Sequence, residues 1–177
     1  MGEIIAHVRS VNLSHKKGQR KKPVPADQPE EVREQHGFVN DAHAGDWHRQ
    51  VSFLAWESIS RAQEHGLDVK EGDFAENVTT EGYEVMTLPL GTQLRIGDDV
   101  LVEISQIGKV CHARCAIYYL SGDCIFPREG IFGVVLQGGQ VKAGDPIELV
   151  RMGDGTCAFS PQAALDEVEA ARAAGTL

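Results

Sequence analysis

Three of the four cysteines, Cys111, Cys115 and Cys124, fall in one stretch, ISQIGKVCHARCAIYYLSGDCIFPREGIFGVVLQGGQVKAG (Ile104–Gly144). Lys109, His112, Arg114 and Arg128 are interleaved with them. A thiol acts as nucleophile or metal ligand only as thiolate, and adjacent positive charge favours that form. Thiols set among cations are therefore a candidate reactive site, with Cys111 at the end of an apolar–polar stretch that reads as a strand running into a loop. A structural role stands beside this one, because free cysteine is among the most buried residue types. The same residues also admit a zinc site of Cys111, His112, Cys115 and Cys124. Their Cys-His-x-x-Cys-x8-Cys spacing, however, lacks the paired Cys-x2-Cys knuckles of common structural sites. His43 and His48 flank Gly45 on an expected loop without helical ligand spacing, so hydrogen bonding is the default for both. Asn77 lies in DFAENVTTEG (Asp73–Gly82), which reads as a loop offering amide and hydroxyl groups.

The 177 residues fit one domain (1–177), with a core over about 4–150 and a helical cover over about 160–175. A net charge of −9 argues against general nucleic-acid binding, which needs excess Lys and Arg. No run approaches a membrane span and no export signal opens the chain, so a cytoplasmic location with cysteines as thiols is expected. One cationic island interrupts the acidic composition: Lys16, Lys17, Arg20, Lys21 and Lys22. It reads either as a solvated loop or as a collar that attracts a small anionic ligand.

The elements that must position these residues read as mainly β with some helix, an α+β chain. Gly2–Leu13 alternates and is rich in β-branched residues, as a strand requires. Pro23, Pro25 and Pro29 make the following run a loop, with order resuming near Gly37–Asn40. Gln50–Ala55 suits a buried strand, and Trp56–His65 a helix stopped by Gly66. LRIGDDVLVEI (Leu94–Ile104) and VKAGDPIELV (Val141–Val150) share a Gly-Asp turn followed by an alternating strand, which predicts two hairpins of a small barrel. Gly130–Leu136 is a further strand. Ser160-Pro161 supplies an N-cap and first-turn proline for a C-terminal helix, Pro161–Ala174. Cys157 has no assigned role.

Four pieces, DAHAGDWHRQVSFLAWESI, GDFAENVTTEG, ISQIGKVC and GDCIFPREGIFGVVLQGGQVKAGD, in this order and spacing, resemble the MOSC domain, the module named after the C-terminal part of the molybdenum-cofactor sulfurase. The likeness runs from about Ile4 to Val150 and is closest to small standalone bacterial members. It implies a β-barrel with a few short helices and a pocket around one cysteine, which falls on Cys111. The asparagine of the family's GENLT-like segment falls on Asn77, here in AENVT, and its HGG-like turn on His43, Ala44 and Gly45. Members are associated with carrying sulfur as a persulfide or with holding the molybdenum cofactor (molybdopterin), in some cases for reduction of N-hydroxylated compounds. Where those reductases have Pro-Arg-x-Pro-Cys, this chain has Ile-Gly-Lys-Val-Cys.

The resemblance implies Cys111 as catalytic thiol or molybdenum ligand, with His43 and Asn77 beside it; charge and closeness in the chain add Arg128 as a pocket residue suited to the pterin phosphate, and Lys109 and His112 as further cofactor contacts that could hold Cys111 as thiolate. The partners implied are a cysteine desulfurase, whose own pyridoxal phosphate would be the only one involved, or a cofactor biosynthesis or acceptor enzyme. Sulfur transfer and molybdenum-dependent oxidoreduction are both open. A structural zinc module and a non-catalytic docking module are the alternatives. Molybdenum held by dithiolene sulfurs accepts a thiolate as a soft extra ligand; the same thiolate could pass sulfur on by exchange.

Overall fold

A computed structural model describes residues 2–177. Seven strands close into a barrel in the order β1 (Glu3–Leu13), β11 (Pro146–Arg151), β7 (Gln93–Ile96), β8 (Val100–Ile107), β9 (Ile131–Gln137), β5 (Val51–Ala55) and β6 (Val78–Glu81), and back to β1. All neighbours are antiparallel except β5 and β6, which are joined through helix α1 (Trp56–Glu64). β1 makes closure possible. Its first residues pair with β11 and its later ones with β6, and a register shift interrupts each pairing. Such bulges raise the local twist of a strand and bend it, as a barrel wall requires.

Alternation along the strands separates two cores. Phe53, Val102, Ile104, Ile131 and Val135 are among the buried residues that pack into the barrel core. Leu54 and Phe132, the sequence neighbours of Phe53 and Ile131, point the other way. On the outer wall they meet Ile59 and Ala62 of α1, Phe74, Ile117 of α2 (Ala116–Ser121), and Ile125 and Phe126 at the start of α3 (Phe126–Glu129). The spacing of Ile59 and Ala62 places both on one face of α1, and Gly66, at a left-handed φ of +93°, ends the turn that follows.

Several local expectations need correction. The run after Pro29 is not all loop. β3 (Glu30–Arg33), β4 (Gly37–Phe38) and β10 (Gly139–Val141) form a separate three-stranded sheet, in which Val32 is buried beneath charged neighbours. The second Gly-Asp segment is therefore no hairpin. β10 pairs with β3 and β11 with the barrel, while the intervening turn is pinned to β1 by Val8 N–H donating to Asp145 O (2.8 Å) and Gly144 N–H donating to Val8 O (2.7 Å). Val78–Glu81 is a barrel strand rather than loop; its threonines suit a β ladder. Ser160 does not cap the C-terminal helix α4 (Gln162–Ala173). Pro161 occupies the cap position, and the Ser160 hydroxyl donates instead to the Ser105 carbonyl, tying the helix to β8. Among the described residues no helix is long and apolar enough to cross a membrane.

Candidate functional site: a cationic thiol pocket on the barrel wall

β8 ends at Ile107, and Gly108, at a φ of +74°, turns the chain out of the sheet. A side chain there would meet the Pro127 carbonyl, with Cβ at 2.7 Å. The segment from Lys109 to Phe126 then arches over the outer face of β5 and β9. A cavity of about 410 Å³ lies beneath it. Trp47, Phe74, Phe126 and Phe132 supply aromatic wall, and Cys111, Cys115 and Cys124 all reach it. Lys17, Arg49, Lys109 and His43 line it too, and no carboxylate does.

Those three cations carry no neutralising partner. None of Lys17, Arg49 and Lys109 belongs to an ion pair among the described residues. They rest instead on ring faces: Arg49 at 4.6 Å from the centroid of Trp47 and 5.4 Å from that of Phe132, Lys17 at 5.4 Å from Trp47, and Lys109 at 5.7 Å from Phe126. The Arg49 Nε is buried with no hydrogen-bond partner. Burial lowers the Arg49 pKa from its ordinary value, while the charges of Cys111 and Glu167 act the other way. An unpartnered guanidinium in a half-buried wall is costly unless something anionic meets it.

The loop behind this wall is held by a buried ion pair. The Lys21 ammonium donates to both Asp41 oxygens, at 2.6 and 2.8 Å, and lies 2.9 Å from Nδ1 of His43. Asp41 also accepts from the backbone N–H groups of Ser14 and His43, each at 3.0 Å. Burial pulls the Lys21 pKa down and would raise that of Asp41. The charge and hydrogen bonds of Lys21 and the backbone N–H of Ser14 overcome the latter, so the Asp41 carboxyl sits well below the usual range. One nitrogen against both carboxylate oxygens is the geometry of an ion pair. Arg20, next in the chain, donates to the Ser121 hydroxyl (2.8 Å) and so joins this loop to α2. The basic island is thus split. Lys17 faces the cavity, Arg20 and Lys21 are structural, and Lys16 and Lys22 are exposed.

The thiols differ in environment. Cys111 is exposed at the mouth; Cys115 and Cys124 are half-buried against the outer core. Burial pushes the Cys124 thiol up to about 11, with the nearby sulfurs of Cys111 and Cys115 adding to it. Cys157 lies elsewhere, beside the lead-in to α4, and burial raises its pKa as well.

Of the six residues assigned to the cofactor pocket from sequence, Cys111, His43 and Lys109 meet at this cavity, and Asn77, Arg128 and His112 do not. Asn77 is buried one layer behind, where its Oδ1 accepts from the backbone N–H and the hydroxyl of Ser52, both at 3.1 Å; Ser52 is the residue that lines the cavity. Arg128 is on the outside, paired with Asp123 at 3.1 Å. His112 turns away to Glu167 of α4 at 2.7 Å, and Arg114 stacks on Tyr118 at 4.1 Å. Because His112 leaves, the zinc arrangement is not assembled, and among the described residues no three His, Cys, Asp or Glu side chains are grouped to hold a metal ion. His48 bonds Gln106 (2.6 Å), a structural contact. Arg49, a cavity cation that interacts with the charge of Cys111, was passed over by sequence reading although it sits between His48 and the strand of Gln50–Ala55.

Behind Asn77 lies a buried acid with its own consequence. Glu76 is fully buried. Its Oε1 accepts from Gly72 N–H and the Thr79 hydroxyl, both at 2.7 Å, and its Oε2 has no partner. Burial raises its pKa from 4.5 to about 7. Between those two values the unfolded chain has released the proton that the folded one keeps. Glu76 therefore favours folding most below pH 4.5, and this contribution, about 3 kcal/mol, is lost as pH rises through about 7. Glu76→Gln cannot ionise. Urea denaturation across this range should show the variant gaining on the wild type up to about pH 7 and holding a constant advantage above it; parallel curves would contradict this.

A family model described as the MOSC domain matches residues 40–148. Comparison with curated proteins returns no match. Among solved structures, the YuaD protein from Bacillus subtilis is 17% identical with a TM-score of 0.66, over 81% of this chain and 94% of that one. YiiM from Escherichia coli is 19% identical with a TM-score of 0.65, over 96% of this chain and 94% of that one. YiiM from Geobacillus stearothermophilus is 20% identical with a TM-score of 0.64, over 93% and 83%. At these identities the likeness is one of fold. The match to the family model spans most of the chain, from the loop of His43 through Cys111 to β11, and on that ground the chain belongs to the MOSC domain family.

Proposed function

We propose that this protein holds an anionic cofactor of the molybdopterin class in the pocket under residues 109–126, with Cys111 as the thiol presented to it. One observation carries the reading: an aromatic-walled cavity with three unpaired cations and no carboxylate, opening beside an exposed thiol, in a chain whose net charge is −9. The residues fit such a group. The orphaned Arg49 Nε and the Lys17 and Lys109 ammoniums are suited to phosphate oxygens, and Trp47 and Phe132 offer flat surface to a planar ring. When bound, the cofactor supplies a dithiolene-held molybdenum, to which the soft Cys111 thiolate is a suitable additional donor. The chain's own part is to neutralise the anion, orient it against the aromatic wall and exclude water beneath the arch.

A second reading rests on the cluster of three thiols. The Cys111 thiolate attacks the terminal sulfur of a donor persulfide, forming a new S–S bond and releasing the donor as thiolate. A cysteine desulfurase is the partner class that would present such a donor, and a cofactor-assembly enzyme would be the acceptor. The composition of the pocket favours the first reading, since a carrier of one sulfur atom has no need of a 410 Å³ cationic cavity.

The test is intact-mass and metal analysis of protein made in cells able to produce the cofactor. Wild type and Cys157→Ser should carry pterin and molybdenum, and Cys111→Ser should lose most of the metal. A gain of one sulfur atom on Cys111 without pterin would select the carrier reading. Sulfur on Cys115 or Cys124, with Cys111 untouched, would overturn both.

A further inference from the structure

We infer that Lys21 holds His43 in its Nε2–H tautomer, so that the imidazole faces the cavity as a hydrogen-bond donor to the bound anion. Lys21 has no exposed side-chain surface and does not line the cavity, so its effect on the pocket passes through His43.

The argument is one of counting donors. An ammonium has three N–H groups and no acceptor. Lys21 Nζ meets three atoms: Asp41 Oδ1 at 2.6 Å, Asp41 Oδ2 at 2.8 Å and His43 Nδ1 at 2.9 Å. Each N–H is used once, and Nδ1, facing a pure donor, must accept. A neutral ring accepting at Nδ1 carries its proton on Nε2. The competing arrangement, Nδ1–H donating to Asp41, fails on distance. Nδ1 and Asp41 Oδ2 are 3.7 Å apart, outside hydrogen-bond range, and that oxygen already receives Lys21 and the His43 backbone N–H.

With Nδ1 turned to the buried pair, the opposite edge of the ring is left for the cavity, where Lys17 and Arg49 are also donors without partners. This end of the pocket then selects an acceptor, an anionic oxygen of the ligand, and disfavours a metal ion, which would need the Nε2 lone pair. Lys21 is a positioning residue. The ligand-facing half of the inference rests on the cofactor reading above; the tautomer does not.

The test is a long-range ¹⁵N–¹H correlation spectrum of ¹⁵N-labelled wild-type protein near neutral pH, with His43 assigned through His43→Gln. The expected result is Nδ1 at the downfield position of an unprotonated ring nitrogen and Nε2 at the upfield position of a protonated one. The reverse pattern would overturn the inference. In Lys21→Met, or in Lys21→Met/Asp41→Asn if the single variant does not fold, the two nitrogens should move toward the averaged shifts of a ring exchanging between tautomers. An unchanged Nε2–H pattern there would show that Lys21 is not its cause. Failure to retain cofactor with the tautomer intact would count against the cofactor reading alone.

Discussion

Lys21→Met is expected to destabilise the fold by roughly 3–5 kcal/mol, the penalty for leaving one member of a buried ion pair without the other. Asp41 would keep its charge in a site with almost no solvent, its side chain being 1% exposed, and would lose two of its four hydrogen bonds. Chemical denaturation with an unchanged m-value would measure the loss. A second substitution, Asp41→Leu, should recover only part of it. Removing the carboxylate relieves the uncompensated charge but strands the N–H groups of Ser14 and His43, at roughly 1–3 kcal/mol each where they stay dry. The pH dependence follows the sign of the Asp41 shift. Its folded pKa lies below the unfolded value of 3.8, so its contribution is full above that value and is lost as the pH falls below it. Asp41 thus sets an acid limb, while Glu76 lowers stability on the approach to pH 7. A loss below about 1 kcal/mol in Lys21→Met would mean that the pair is solvated in solution.

Arg49→Met should act with opposite signs on stability and on binding. In the ligand-free protein the guanidinium has ring faces but no anion, and its Nε has no partner. Met keeps most of the packing against Trp47 and Phe132 and removes the partly desolvated charge, so stability should be unchanged or rise by up to about 1 kcal/mol. Binding should suffer. Truncating one side of a hydrogen-bonded charge pair costs roughly 2–5 kcal/mol, which is about 30-fold or more in Kd. The fraction of purified protein that retains the pterin, beside the denaturation curve, reads both quantities. A variant that keeps its cofactor would remove Arg49 from the site. One destabilised by several kcal/mol would show that the residue is structural. This trade of stability for a receptive cation is what a binding site, rather than a core, is expected to show.

The strands β1, β5, β7, β8 and β9 and the helices α1 and α4 were all legible in the sequence, since alternation and helical spacing record locally which face of an element is buried. Cys111, on the loop that leaves β8, was placed through the strand that leads to it, His43 through a family resemblance and Lys109 by its closeness to Cys111 in the chain. Partners were not. The two Gly-Asp segments have the same local form and both make turns, yet one is a hairpin and the other hands β10 to one sheet and β11 to another. Lys21 and Lys22 are adjacent and identical. One is buried on Asp41 and the other is exposed, because the loop is closed by a carboxylate twenty residues further on. Arg128 and His112 looked available to the thiols, while Arg49 was passed over. Their carboxylates on Asp123 and Glu167 took them, and no carboxylate took Arg49. Hydrophobic period is a property of neighbours in the chain, and by itself it determined the elements and the strand that leads to the thiol. Which charges are spent and which remain free depends on through-space pairing between distant segments, and only the tertiary structure decided it.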